Sequence, residues 1–221
     1  MKKILCIILL SSLLFCISGC SNQIADLIKE NMSDLRINYF VGENENMFAN
    51  LSCGYREQTF AYDGISTQKV ECGVLSVGFN TIYSYSSISV ILIVDNIEQE
   101  YVLQHSPYEN VYMVDIEKIL TEENIISLKL KNSANELSLN NVSNSWNVQY
   151  DKALNIAGTT LQDELNLLYF NGKFNAEGYL KIVSKKDFEK TYWYFSYIDR
   201  SGNSNSLLID VQTGEVTKRE I

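Results

Sequence analysis

Residues able to do catalytic chemistry are few in this sequence, and the first candidate is its single histidine, His105. It lies two positions before the only proline, Pro107. No G-x-S-x-G turn is present to carry a serine nucleophile, and no glycine-rich loop is present to hold a phosphate. Zinc sites need clustered histidine and cysteine, which the sequence also lacks. We therefore predict a non-enzymatic protein with no catalytic residue, no metal and no cofactor, in which His105 is a loop residue.

The best candidate for a cation site is the segment from Asp199 to Asn205, where oxygen-bearing side chains occur at every second position. Asp210 follows at the spacing of the last ligand of an EF-hand loop. The glycine of the segment, Gly202, is misplaced for that loop, and the closing residue is not the bidentate glutamate that calcium requires there. Asparagine and serine also favour tight turns by bonding their own backbone. We therefore predict a plain hairpin turn here.

The thiol of Cys20 has a different predicted chemistry, because it follows a segment with the layout of an export signal. Lys2 and Lys3 give a charged start, and residues 4–17 form an apolar run that is too short to span a bilayer comfortably. The run ends in Ile17-Ser18-Gly19-Cys20, which resembles the lipobox of bacterial lipoproteins. One alternative is an ordinary signal peptide with a chance cysteine, which the register of the three parts disfavours. The other is an uncut membrane anchor, which the short apolar run disfavours.

This resemblance implies that the chain is cut before Cys20 and that a diacylglycerol is joined to the Cys20 thiol. Residues 1–19 would then be the signal peptide, and two acyl chains would anchor the protein stably in the membrane. The protein would be lipid-anchored on the extracytoplasmic face of the cell membrane.

Two further cysteines, Cys53 and Cys72, lie in neighbouring β-like segments of the exported part. A disulfide between them could persist outside the cytoplasm. Two buried free thiols are the alternative, since the distance between the two Cα atoms decides whether a bond can form.

The charge of the chain excludes nucleic acid as a partner. The formal net charge is −9, and removal of Lys2 and Lys3 leaves 18 − 2 = 16 basic residues against 27 acidic ones, a net −11. A nucleic-acid-binding protein needs a basic surface, so this balance has the wrong sign.

The chain after the signal divides by pattern into three parts. Residues 20–38 are predicted as a tether or spacer, with a short helix as the alternative because Ile24, Leu27 and Ile28 share one helical face. Residues 39–145 hold several short alternating segments separated by turn signals, which favours an antiparallel β-sandwich-like domain. The polar stretch 140–145 marks the predicted boundary, after which residues 146–221 form a small α+β domain.

The predicted elements of this last domain are one helix over residues 151–169 and three strands. The segments Tyr192 to Asp199 and Leu208 to Val216, with the Thr213-Gly214-Glu215 turn, resemble a PepSY-like domain. That resemblance implies one helix packed on an antiparallel sheet, without catalytic residues, in an exported or membrane-attached protein. The predicted fold class is therefore α+β: a β-sandwich-like domain followed by a PepSY-like domain.

The aromatic run from Tyr192 to Tyr197 is the most unusual local feature of the sequence. In a strand, Tyr192 and Tyr194 share one face, while Trp193 and Phe195 share the other. One face must pack on the helix, and the other would be either an aromatic binding platform or covered by the preceding domain. Tyr192, Trp193 and Tyr194 are the predicted binding-surface residues.

These features predict a membrane-tethered lipoprotein with a non-enzymatic binding or regulatory role. Its partners would be the membrane, through the lipid on Cys20, and an envelope protein, peptide or glycan. The alternative is an extracellular hydrolase, or a protease-inhibitor module, that acts on envelope peptides or glycans; a hydrolase should show a cleft with acids of perturbed pKa.

Overall fold

The computed structural model describes residues 26–58, 61–81, 85–107, 110–117, 125–184 and 190–219. The fold is mostly β, and the chain divides into two compact units. Residues 34–58 and 68–149 form one of them, here called the barrel unit. The described residues of 26–33, 61–67 and 150–219 form the other, here called the sheet unit.

The barrel unit is a closed antiparallel barrel of eight strands. Their order around the barrel is β1-β2-β3-β6-β5-β4-β7-β8, and β8 pairs back onto β1, with Val41 opposite Asn140. The strands are β1 (Met32–Glu43), β2 (Met47–Glu57), β3 (Lys69–Phe79), β4 (Ser87–Val94), β5 (Ile97–His105), β6 (Val111–Ile116), β7 (Ile125–Leu130) and β8 (Glu136–Asn141). A short 3-10 helix, Ser143–Ser145, follows β8.

Apolar side chains fill the interior of the barrel. Strand β4 shows the pattern most clearly, because its residues alternate between half-buried and fully buried along its whole length. Nineteen buried residues from the strands make one continuous cluster, among them Phe40, Leu75 and Tyr112. An eight-stranded barrel is just wide enough for side chains to fill, so the described interior is a hydrophobic core.

The predicted β-sandwich-like domain is therefore wrong, since these strands close into a barrel. Alternating polarity identifies the residues that point inward, but it does not distinguish two facing sheets from one sheet that closes on itself. Closure depends on a short pairing between β1 and β8, at opposite ends of the unit's sequence. Strand β1 is long and contains a register shift between Arg36 and Asn38, and such irregularities bend a strand.

The sheet unit contains strands β11 (Ala176–Ser184), β12 (Thr191–Asp199), β13 (Ser204–Asp210) and β14 (Val216–Arg219), paired antiparallel in that order. Helices α1 (Tyr150–Thr160) and α2 (Gln162–Leu168) precede them, and α1 packs on β12 and β13. A small hairpin of β9 (Tyr169–Phe170) and β10 (Lys173–Phe174) separates α2 from the sheet. No helix of the described ranges is long and apolar enough to cross a membrane.

The predicted one-helix PepSY-like architecture is also wrong. The helix predicted over residues 151–169 is two helices that meet at Leu161, whose backbone leaves the helical conformation. The start of the described chain also belongs to the unit: residues 26–30 are helical, Ile28 is buried, and the Gly178 N–H donates to the Asn31 carbonyl at 2.8 Å. Within the predicted spacer, residues 26–30 thus form the short helix that was the alternative, and strand β1 begins at Met32.

Candidate functional site

The sheet of the sheet unit has one face that the helices do not bury. Lys181 on β11, Tyr194 on β12 and Leu208 on β13 are cross-strand neighbours in one row of this face. Val183 and Tyr192 are neighbours in the next row. All five side chains are half-buried, and we call this set the tyrosine face. Directly opposite side chains in a row lie about 5 Å apart, and successive rows on one face lie about 7 Å apart, so the five side chains form one continuous surface.

The opposite face of β12 is hydrophobic core. Trp193 and Phe195 are fully buried there, together with Leu180 and Leu207 of the neighbouring strands. The structure therefore keeps two of the three predicted binding-surface residues together, Tyr192 and Tyr194, and places Trp193 on the other side of the sheet. Side chains alternate between the two faces of a strand, which separates the tyrosines from Trp193. Because α1 packs on β12 and β13, the face that carries Trp193 is the buried one.

A buried carboxylate, Glu177, lies on the same sheet face as Tyr192 and Tyr194, at the start of β11. It accepts a hydrogen bond from the Ser33 hydroxyl at 2.7 Å and one from the Asp63 backbone N–H at 3.1 Å. The Tyr179 hydroxyl donates a third, short hydrogen bond to it. Among the described residues, no lysine or arginine pairs with Glu177, so three hydrogen-bond donors compensate its burial.

Glu177 holds the segment 61–67 against the sheet. Tyr62 lies on the Tyr179 ring with 5.2 Å between ring centroids, and Ser66 donates its hydroxyl to the Met32 carbonyl at 3.2 Å. A Cβ at Gly64 would lie 2.6 Å from the Arg200 backbone nitrogen, so the backbone approaches closely there. Glu177 was not predicted as a site residue, and the one signal for it in the sequence is an acidic residue at the start of a strand that is otherwise mostly apolar.

The barrel unit contains a charged cluster around Cys72 on the outer side of its strands. Arg36 pairs with the buried Asp34 at 2.8 Å, and Arg56 pairs with Asp115 at 3.0 Å. Burial raises the pKa of the Cys72 thiol more than the neighbouring Arg36 lowers it. The thiol is therefore kept protonated at neutral pH, which makes it a poor nucleophile.

Cys53 and Cys72 are both buried free thiols. Cys53 lies opposite Gly73, and Cys72 lies opposite Gly54, so the two cysteines occupy adjacent rows. Adjacent rows of a sheet point to opposite faces, and Cys53 indeed belongs to the barrel core. The sequence left a disulfide and two free thiols as alternatives, and the structure contains the free thiols. The register of β2 with β3 places the two cysteines on opposite faces, so a disulfide cannot form between them.

The remaining candidates from the sequence have structural roles. Asp199 accepts hydrogen bonds from the backbone N–H groups of Ser201 and Asn203 at 2.8 Å each, and the Asn203 side chain does most to lower the pKa of Asp199. Asp210 accepts from two backbone N–H groups of its own turn. The prediction of His105 as a loop residue is wrong, since it is the last residue of β5 and pairs with Tyr112 of β6. Its ring meets the Tyr112 ring edge-on, with 5.1 Å between centroids. Over the described ranges, no group of three or more His, Cys, Asp or Glu residues could hold a metal ion, and Cys20 lies outside those ranges.

Comparison with known proteins gives no relative. The chain matches no protein-family model, and neither a curated protein nor a solved structure matches it. A function for the tyrosine face therefore has to be argued from its own geometry.

Proposed function

We propose that this protein is a lipid-anchored, non-enzymatic binding protein of a bacterial cell envelope. The sequence Ile17-Ser18-Gly19-Cys20, placed after a charged start and a short apolar run, supports anchoring through Cys20 on the extracytoplasmic face. The body of the protein would then present the tyrosine face to an envelope peptide or glycan.

The half-exposed pair Tyr192 and Tyr194 carries the binding part of this proposal. Tyrosine offers a large apolar ring together with a polar tip, and only two side-chain torsions have to be fixed when it binds. The two rings project from a strand that is paired on both sides and backed by buried Trp193 and Phe195, so the surface is rigid before a partner arrives. Rigidity before binding lowers the entropy cost of association.

Three features of the described chain favour binding at the surface over catalysis or over transport of a ligand inside the barrel. The barrel interior is occupied by packed side chains, so a ligand held inside the barrel would have to displace core residues. The Cys72 thiol has a raised pKa, and the Glu177 carboxylate is bonded to three donors beneath the segment 61–67. Binding of a partner at the tyrosine face involves no reaction of the Cys72 thiol or of the Glu177 carboxylate.

The test is capture of partners from solubilised cell envelope with the purified lipidated protein. The double variant Tyr192→Ala with Tyr194→Ala should lose the captured peptide, glycan or protein. Tyr55→Ala, which removes an exposed tyrosine of the barrel unit, is the matched control and should retain it. Equal capture by the two variants, with both correctly folded, would overturn the assignment of the tyrosine face.

A further inference from the structure

The end of α2 and the hairpin that follows it expose three large apolar side chains within four positions of the chain. Leu167 is 83% exposed, Phe170 is 68% exposed and Tyr169 is 47% exposed. A single exposed apolar residue is ordinary on a protein surface, whereas a group of them marks a site of interaction. Tyr169 and Phe170 are consecutive in β9, so their rings lie on opposite faces of the hairpin, and only a partner that surrounds the hairpin can contact both. We call Leu167, Tyr169 and Phe170 the apolar tip.

The hairpin is a rigid projection. Asn171 and Gly172 both have positive φ values, 53° and 73°, as a two-residue type I′ turn requires. A Cβ at Gly172 would meet no atom within 4 Å, so the turn stands in open space. At the base, Asn175 donates from its backbone N–H and from its side chain to the Leu168 carbonyl, at 2.9 and 3.2 Å.

The base of this hairpin lies close to the point where the chain leaves the proposed anchor. The Gly178 N–H donates to the Asn31 carbonyl at 2.8 Å. Asp26 is about 8 Å from Asn31 along the helical residues, and Phe174 is at most about 14 Å from Gly178 along the strand. Asp26 is six positions after Cys20, a reach of about 20 Å when extended. The chain start therefore stays within about 20 Å of the lipidated thiol, and the base of the hairpin is at most about 30 Å from Asp26, so the hairpin can reach the bilayer once Cys20 is lipidated.

The chemistry of the tip fits the headgroup region of a bilayer. Tyrosine and other aromatic side chains favour the membrane–water interface, where their rings are half in hydrocarbon. Lys173, paired opposite Phe170, is exposed and can extend its amine to lipid phosphates. The exposed Asp163, one helical turn before Leu167, disfavours a strongly anionic surface.

We propose that the apolar tip is a second membrane contact, which enters the headgroup region of a zwitterionic bilayer beside the lipid anchor. The inference rests on the proposed function, because the anchor at Cys20 brings the tip to the membrane. Two contacts would fix the orientation of the sheet unit on the surface, whereas the lipid alone leaves it free to turn.

The test places a fluorescent reporter in the tip of the lipidated protein. Phe170→Trp is reconstituted into phosphatidylcholine vesicles whose acyl chains carry bromine close to the headgroup. Ile97→Trp, at a barrel residue that is 69% exposed, is the matched control. The native Trp146 and Trp193 are buried and contribute the same background to both proteins. We expect a blue shift and bromine quenching for Phe170→Trp, and neither change for Ile97→Trp.

Flotation of the same vesicles separates the two claims. Protein that floats with equal quenching in both variants would overturn the tip contact and leave the anchor intact. Protein that does not float would overturn the anchor, and the tip inference with it. A blue shift of Phe170→Trp without bromine quenching would also overturn the inference, because it would show the tip buried against protein, such as a second copy of this chain.

Discussion

Ser33 donates a hydrogen bond to the Glu177 carboxylate at 2.7 Å, although 144 positions separate the two residues in sequence. Both are fully buried. The bond joins the beginning of β1 to the beginning of β11, and Asp63 adds the segment 61–67 through its backbone N–H. One acidic side chain thus connects three distant parts of the sheet unit beside the tyrosine face.

Replacing Glu177 should destabilise the sheet unit. We expect Glu177→Ala to lower the free energy of unfolding by about 3 kcal/mol, because the buried Ser33 and Tyr179 hydroxyls and the Asp63 backbone N–H lose their acceptor. Glu177→Gln keeps one acceptor oxygen and should cost less. Urea unfolding and hydrogen exchange at residues 61–67 measure the effect, with the exposed Glu98→Gln as control. Unchanged exchange in the Glu177→Ala protein would contradict the connection.

Gly64 and Gly202 form a matched pair for testing how closely the segment 61–67 approaches the sheet. Both have positive φ values, 75° and 83°, so alanine at either position incurs a backbone cost of about 1 to 2 kcal/mol. A Cβ at Gly64 would also collide with the Arg200 backbone, whereas one at Gly202 meets no atom within 4 Å. Gly64→Ala should therefore lower the unfolding free energy by about 3 kcal/mol, clearly more than Gly202→Ala. If urea unfolding showed equal losses of unfolding free energy in the two variants, the segment 61–67 would lie further from the sheet than the structure places it.

The local elements of the sheet unit were predictable, while its long-range connections were not. The aromatic run from Tyr192 to Tyr197 was predicted to lie in a strand and does so in β12, and the turn residues after Asp199 predicted the hairpin to β13. The Ser33–Glu177 bond joins residues that share no local pattern, so no periodicity could reveal it. Barrel closure escaped prediction for the same reason, because it rests on the pairing of Val41 with Asn140.

The two buried cysteines should be unreactive in the folded protein. Burial raises the pKa of the Cys72 thiol, and Cys53 lies in the barrel core, so a thiol reagent near neutral pH should label neither at an appreciable rate. Both should react once the chain is unfolded in denaturant without reductant. A Cys53–Cys72 disulfide in a non-reducing peptide map would contradict the register of β2 with β3.

Asp210 should give the sheet unit a measurable sensitivity to acid. Burial raises the pKa of Asp210, but hydrogen bonds from the Thr213 and Gln212 backbone and the charge of Lys190 outweigh it, and the net pKa is lowered from 3.8. A lowered folded-state pKa means that the carboxylate stabilises the fold above pH 3.8 and that this stability is lost as the pH falls through the folded value. Asp210→Asn should flatten the acid limb of the stability curve, while Glu98→Gln should leave it unchanged. An acid limb of the same slope in Asp210→Asn would contradict the lowered pKa.

Exchange of the first twenty residues for an export signal without a lipobox should release the protein from the membrane. The exported body then carries no acyl chains to anchor it in the bilayer. Fractionation of cells into membrane and soluble envelope or medium measures the change, with the unaltered chain as control. Continued membrane retention at high salt and mild alkali would mean that something other than the lipid anchors the protein.

The mass of the N-terminal peptide of the protein purified from membranes decides whether Cys20 carries the lipid anchor. We expect a peptide that begins at Cys20 and carries a diacylglyceryl group on the thiol, with residues 1–19 removed. A peptide that begins elsewhere, or one in which Cys20 has an unmodified thiol, would contradict the lipid anchor.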